Sequence, residues 1–98
     1  MKKYEGYHIV RAEKAGIFFG KIVEREGDTV TMTECRLIYH WEGANGLNQL
    51  AAEGVKRPSN CMFSMPVDEA EIFNVMEILK CTPEATENIK AVPEWKKK

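Results

Sequence analysis

Between Tyr7 and Trp41 the chain is dense in β-branched and aromatic residues and is punctuated by the polar, glycine-bearing stretches Glu13-Lys14-Ala15-Gly16 and Arg25-Glu26-Gly27-Asp28. Runs this rich in strand formers, separated by turns this short, leave room for consecutive antiparallel hairpins and little else. Tyr7–Ala12 and Ile17–Arg25 read as the first pair. Gly27 can take positive φ and Asp28 can bond to its own backbone, so a second hairpin follows into Val30. Side-chain parity then changes. Val30 and Met32 alternate with Thr29, Thr31 and Thr33, whereas the next apolar set is Leu37, Tyr39 and Trp41. A strand presents alternate residues to alternate faces, so the polar interval Glu34-Cys35-Arg36 must carry a bulge or a break. Tyr39 and Trp41 are expected on the same side of this strand.

The second half is less regular. Leu47, Leu50 and Ala51 have the spacing of one face of a short helix, with Asn45 or Gly46 as its cap and Gly54 as its stop. Val55–Asn60 is a loop by composition, and Cys61–Met65 suits a short strand. Asp68–Leu79 fits two templates: Ile72, Val75, Met76 and Leu79 recur at helical spacing, yet the same segment suits a strand buried on both faces. Thr82-Pro83-Glu84 is a plainer helix start, with a hydroxyl to cap, proline at the first helical position and an acid in the first turn; that helix should run to about Lys90.

Composition bounds the function. Residues 1–98 should form a single domain with one modest core. The 44% hydrophobic and 30% charged residues are those of a soluble globular chain, and a net charge of −1 provides no basic face for bulk nucleic-acid binding. No apolar stretch reaches membrane-spanning length, and Met1–Val10 has two lysines but no signal-like apolar run, so no membrane partner and a cytoplasmic location are expected. Cys35, Cys61 and Cys81 are widely spaced and outside any CxxC pair, which argues for free thiols rather than a zinc site or a disulfide framework. His8 and His40 are in no metal-ligand spacing, no nucleophile elbow is present, and Glu42-Gly43-Ala44-Asn45-Gly46 lacks the lysine of a phosphate loop. No catalytic residue, cofactor or metal is therefore expected, and binding is the preferred class.

The stretch Arg36–Asn60 collects the candidate binding residues. Tyr39 and Trp41 offer aromatic faces, Arg36, Lys56 and Arg57 offer cations, and Asn48 and Gln49 offer amides. Stacking, phosphate neutralisation and base-edge recognition need those three chemistries. Each also has an ordinary role: large aromatics as core, Lys56-Arg57 as a wet loop, and the amides as the solvent face of a helix. Arg25 flanks a turn and is expected to face solvent.

The run GIFFGKIVEREGDTVTMTECRLIYHWEGANGLNQLAAEGVKRPSNCMFSMPVDEAEI, with the closing CTPEATENIKAVPEW, resembles a family of short phage and prophage proteins of unknown function. In that family the segment matching Tyr39–Ala44 is aromatic, the segment matching Leu47–Ala51 resembles SLSQLA, and the segment matching Glu71–Leu79 is richer in strand formers. Gly46 and Asn48 stand here in place of the family's serines. The resemblance favours a strand over Glu71–Leu79. With that strand added to the hairpins and helices, the expected fold is α+β, mainly β: a twisted antiparallel sheet or small partly open barrel of five or six strands with two short helices. A phage context further implies similarity in role to the Thoeris anti-defence sponges. Such a protein would sequester a cyclic nucleotide or cyclic ADP-ribose signal in the infected cell without cleaving it. It would be a homo-oligomer built from two-fold dimers, since a small chain gains clefts and covers strand edges by pairing with itself. The alternative is a protein-interaction module that blocks a host protein directly.

Overall fold

The computed structural model describes residues 4–95; Lys2 and Lys3 of the N-terminal reading lie outside them. The elements are β1 (Tyr7–Ala12), β2 (Gly16–Glu26), β3 (Thr29–His40), α1 (Leu47–Glu53), a 3-10 turn (Pro58–Asn60), β4 (Met62–Phe63), β5 (Val67–Ile72), β6 (Val75–Lys80) and α2 (Pro83–Lys90). The six strands form one mainly antiparallel sheet in the order β4-β3-β2-β1-β6, with β5 also on β3. β4 takes the end of β3 at Ile38 and His40, and β5 takes its first half, from Val30 to Cys35. The sheet is open, because no ladder joins β5 to β6. It is nevertheless strongly curled: the tip of the β2–β3 hairpin folds back until Asp28 O accepts from Val75 N at 2.9 Å. Among the described residues no helix is long and apolar enough to cross a membrane.

The expected bulge is in the predicted interval. Phe19 pairs with Arg36 but Lys21 pairs with Thr33, and Glu34 takes the left-handed conformation at φ 50°. Gly20 lies opposite because a Cβ there would come within 2.8 Å of Thr33 O. The bulge lets Val30, Met32 and Cys35 serve one core while Ile38 serves the other. Tyr39 and Trp41 do not share a strand face: the strand ends at His40, Tyr39 is 57% exposed, and Trp41 packs at the edge of the helix-side core.

Glu71–Leu79 is extended, as the resemblance implied, but it is not one strand. β5 ends at Ile72, Phe73-Asn74 make the turn with Asn74 at φ 59°, and β6 starts at Val75. Asparagine tolerates that conformation at small cost, so the reversal needs no glycine. The physical consequence is large. The two halves of the segment go to opposite sides of the sheet, one to β3 and one to β1.

Two apolar clusters hold the fold. One lies between the sheet and the helices and contains Ile9, Phe19, Leu50, Phe63, Ala85 and Ile89; the other fills the concave face with Val10, Ile22, Val30, Met32 and Ile72. Each fully buried large side chain stabilises by about 1.5–3 kcal/mol. A seven-residue helix such as α1 is too short to persist alone, and it persists by burying Leu50 and Ala51. Its predicted cap is only partly as expected: Gly46 occupies the position without a side-chain bond, and Gln49 Oε1 instead accepts from Asn45 N at 2.7 Å. Gly54 ends the helix at φ 80°, and Asn88 of α2 then clamps Val55 through its amide N–H and carbonyl, both at 2.8 Å. The α2 start follows the sequence: Thr82 Oγ1 accepts from Ala85 N at 3.0 Å, Pro83 follows, and Glu84 is in the first turn.

Candidate functional site

The stretch Arg36–Asn60 supplies two separate arrangements. Arg36 is 4% exposed and points into the protein on the helix side. Its Nε donates to Ser64 O at 2.7 Å, Nη1 to Ile89 O at 2.8 Å and Nη2 to Pro93 O at 3.5 Å, while the guanidinium lies over the Phe63 ring. Burial lowers its hold on the proton and Glu94 opposes that effect. The remaining polar residues gather around Glu42. Its carboxylate faces His40 Nε2 at 3.3 Å, Asn60 Nδ2 at 3.3 Å and Arg57 Nη1 at 3.8 Å. These partners, the imidazole first, lower the Glu42 pKa.

Arg57 therefore already faces a carboxylate, although its side chain is 69% exposed. Lys56 is exposed and packs its backbone against Gly43, where a Cβ would meet Lys56 N at 2.5 Å. Trp41 Nε1 donates to Ala44 O at 3.2 Å. Gln49 accepts from Asn45 N ahead of the helix and donates to Glu53 at 3.1 Å; Asn48 is exposed on the helix. Tyr39 meets Trp95, which is 50% exposed, edge to face at 5.5 Å. The structure thus brings Trp41, Lys56 and Arg57 to one loop region, turns Arg36 inward, and gives Tyr39 a different aromatic partner.

A further cleft lies elsewhere, on the concave face of the sheet. It has a volume of about 370 Å³ and opens between β1, β6 and the folded-back end of β2, lined by Tyr4, Glu5, His8, Arg25, Val75, Met76, Glu77, Ile78 and Lys80. Register explains its lining. His8 pairs with Lys80 and Val10 with Ile78, so these side chains share the concave face. On β2, Ile22 pairs with Met32 but Arg25 pairs with Val30, leaving Val23 as an extra, bulged residue. That bulge turns Arg25 to the side of Ile22, where it lines the cleft while staying exposed, as expected of a residue flanking the turn. Arg25 Nη1 donates to the Tyr4 hydroxyl at 2.8 Å and Nε to Gly27 O at 3.0 Å. The Tyr4 ring meets the buried His8 ring edge to face at 5.5 Å.

Met76 is 56% exposed at a second irregularity, between the pairs Arg11–Glu77 and Ala12–Val75. Glu77 is held by Arg11 at 3.1 Å. Sequence reasoning missed this cleft because neither bulge carries a glycine or proline to mark it. A smaller hollow of about 150 Å³ on the helix side is lined in part by Tyr7, Glu34, Arg36 and Lys90. There Tyr7 donates to Glu34 at 2.6 Å, and burial first, with that bond, pushes the phenol up to about 12. Among the described residues no three His, Cys, Asp or Glu side chains gather as metal ligands.

A curled, open antiparallel sheet with helices on one face and an aromatic and cationic cleft on the other defines a small, mainly β protein. The chain belongs to the family described as "Domain of unknown function (DUF6948)", whose model matches residues 5–89. The matched span runs from the rim of the cleft to the penultimate residue of α2. No curated protein matches the chain, and no solved structure does.

Proposed function

We propose that this protein is a non-catalytic binding protein that sequesters a small nucleotide-type signal, of the cyclic nucleotide or cyclic ADP-ribose class, in the cytoplasm of a phage-infected bacterium. The observation that carries the reading is the concave cleft. Its volume is at the lower end of small-molecule sites, and it combines aromatic rings with the cations Arg25 and Lys80. Resemblance to short phage proteins supports the context. The loop bearing Trp41, Lys56 and Arg57 is a second candidate surface, but its Arg57 must first leave Glu42.

A homo-oligomer of two-fold dimers fits β6, an edge strand with a single ladder, to β1. Cys81 N donates to Tyr7 O in that ladder, so the alternate residues Ile78 and Lys80 turn their backbone groups outward. The β5 edge, in contrast, carries Asp68, Glu69 and Glu71, charges that disfavour added strands. The same open edge supports the second reading, a module that blocks a host protein by extending its sheet.

The experiment is incubation of the purified protein with a bacterial nucleotide extract, removal of unbound material, heat denaturation and mass spectrometry of the supernatant. Release of an intact small molecule at a fixed ratio to protein is expected. An empty supernatant, or release only of a turned-over product, would overturn sequestration.

A further inference from the structure

Arg25 has five N–H donors, and one of them is spent on a neutral phenol hydroxyl, that of Tyr4. A phosphate oxygen is a far stronger acceptor for a guanidinium than a phenol is. Lys80 stands on the same concave face, opposite His8 in the β1–β6 ladder, and it has no ion pair among the described residues. Of the two acids at the cleft, Glu77 is engaged by Arg11 and Glu5 lies at the N-terminal rim. Tyr4 adds an aromatic ring that is only half-buried, precedes β1 and packs against the concave-face core beside His8.

We propose that the cleft binds a phosphate ester carried on an aromatic heterocycle. Arg25 and Lys80 take the phosphate oxygens, Tyr4 packs against the ring, and the phosphate displaces the Tyr4 hydroxyl from Arg25. The inference rests on the binding reading above and deepens it by naming the residues and the exchange. Losing the Tyr4 hydroxyl should therefore help, because it frees the arginine, whereas losing the Tyr4 ring should harm.

The test is calorimetry on the full chain with AMP as probe, and with adenosine and inorganic phosphate as its two halves. AMP should bind at least tenfold tighter than either half, and its affinity should fall as salt rises. Lys80→Met and Arg25→Met should each weaken AMP by tenfold or more while keeping the wild-type melting temperature. Tyr4→Phe should bind AMP as well as the wild type or better, and Tyr4→Leu should weaken it by about five- to 150-fold, the usual range for loss of one stacked ring.

Absence of AMP binding at millimolar concentration, or equal binding by the wild type and both cation variants, would overturn the assignment. Equal weakening in Tyr4→Phe and Tyr4→Leu would overturn the exchange. The two proposals fail separately. Release of the same extract molecule from wild type and Arg25→Met removes the cleft and keeps sequestration; AMP binding by the cleft with no extract molecule released does the reverse.

Discussion

Replacing Arg36 with methionine separates a structural arginine from a ligand-binding one. The guanidinium joins three elements: β3, which carries it, the Ser64 carbonyl just after β4, and the Ile89 carbonyl in the last turn of α2. Methionine keeps most of the aliphatic stem and its contact with Phe63, so the loss is chiefly the hydrogen bonds. Ile89 O retains a bond from Val92 N at 3.2 Å, whereas among the described residues Ser64 O accepts from Arg36 Nε alone. Hydrogen bonds from a charged donor contribute about 1.5–3 kcal/mol each, and part of this returns because the charge itself no longer has to be buried. A net loss of about 2–3 kcal/mol follows, read as a drop of roughly 1–3 M in the urea midpoint at unchanged slope. Circular dichroism through a urea titration measures it. A loss under about 0.5 kcal/mol would refute the reasoning, since it would mean that water satisfies those carbonyls equally well. The variant should also retain AMP binding in the concave cleft, because Arg36 lies on the opposite face of the sheet.

Thr82→Ala removes the acceptor for Ala85 N and the 2.7 Å donor to Ala52 O, and should cost about 1–2 kcal/mol in thermal or urea unfolding; an unchanged melting temperature would show that α2 holds without its cap. Burial pushes the Cys35 thiol up to about 11 and the Cys81 thiol up to about 12, so iodoacetamide at pH 8 should leave both unlabelled in the native protein and label them in urea. The stability these thiols provide is complete below their unfolded value near 9 and declines as pH rises towards their folded values, which urea titrations from pH 8 to 11 would reveal as a falling midpoint. Glu34 is shifted the other way, below 4.5, by the Tyr7 hydroxyl first and then Lys21. Its contribution is present above the unfolded value and lost as pH falls through the folded one, so the stability gap between wild type and Glu34→Gln should be constant above pH ~5 and shrink below pH ~4.

The sequence by itself determined the hairpins, the bulge and the start of α2, because each is encoded within a few neighbouring residues. Gly27-Asp28 reverses the chain locally, Thr82-Pro83-Glu84 satisfies its own helix terminus, and the change from Val30-Met32 to Leu37 requires an extra residue whatever the partner strand. The residues of Glu71–Leu79 suited a helix and a strand alike; only the family resemblance favoured extended backbone, and nothing local marked the division at Phe73-Asn74. What each polar residue does was decided only by the tertiary structure. Arg36 reaches an acceptor 53 residues away at Ile89 O, a partner no local pattern announces. Arg25 enters the cleft because Val23 is skipped in the ladder, and a one-residue slip sends every later side chain to the other face. A strand's sequence sets the alternation of its faces; which face meets the core, and which cation meets the cleft, depends on the register of strands that the chain brings together only when it folds.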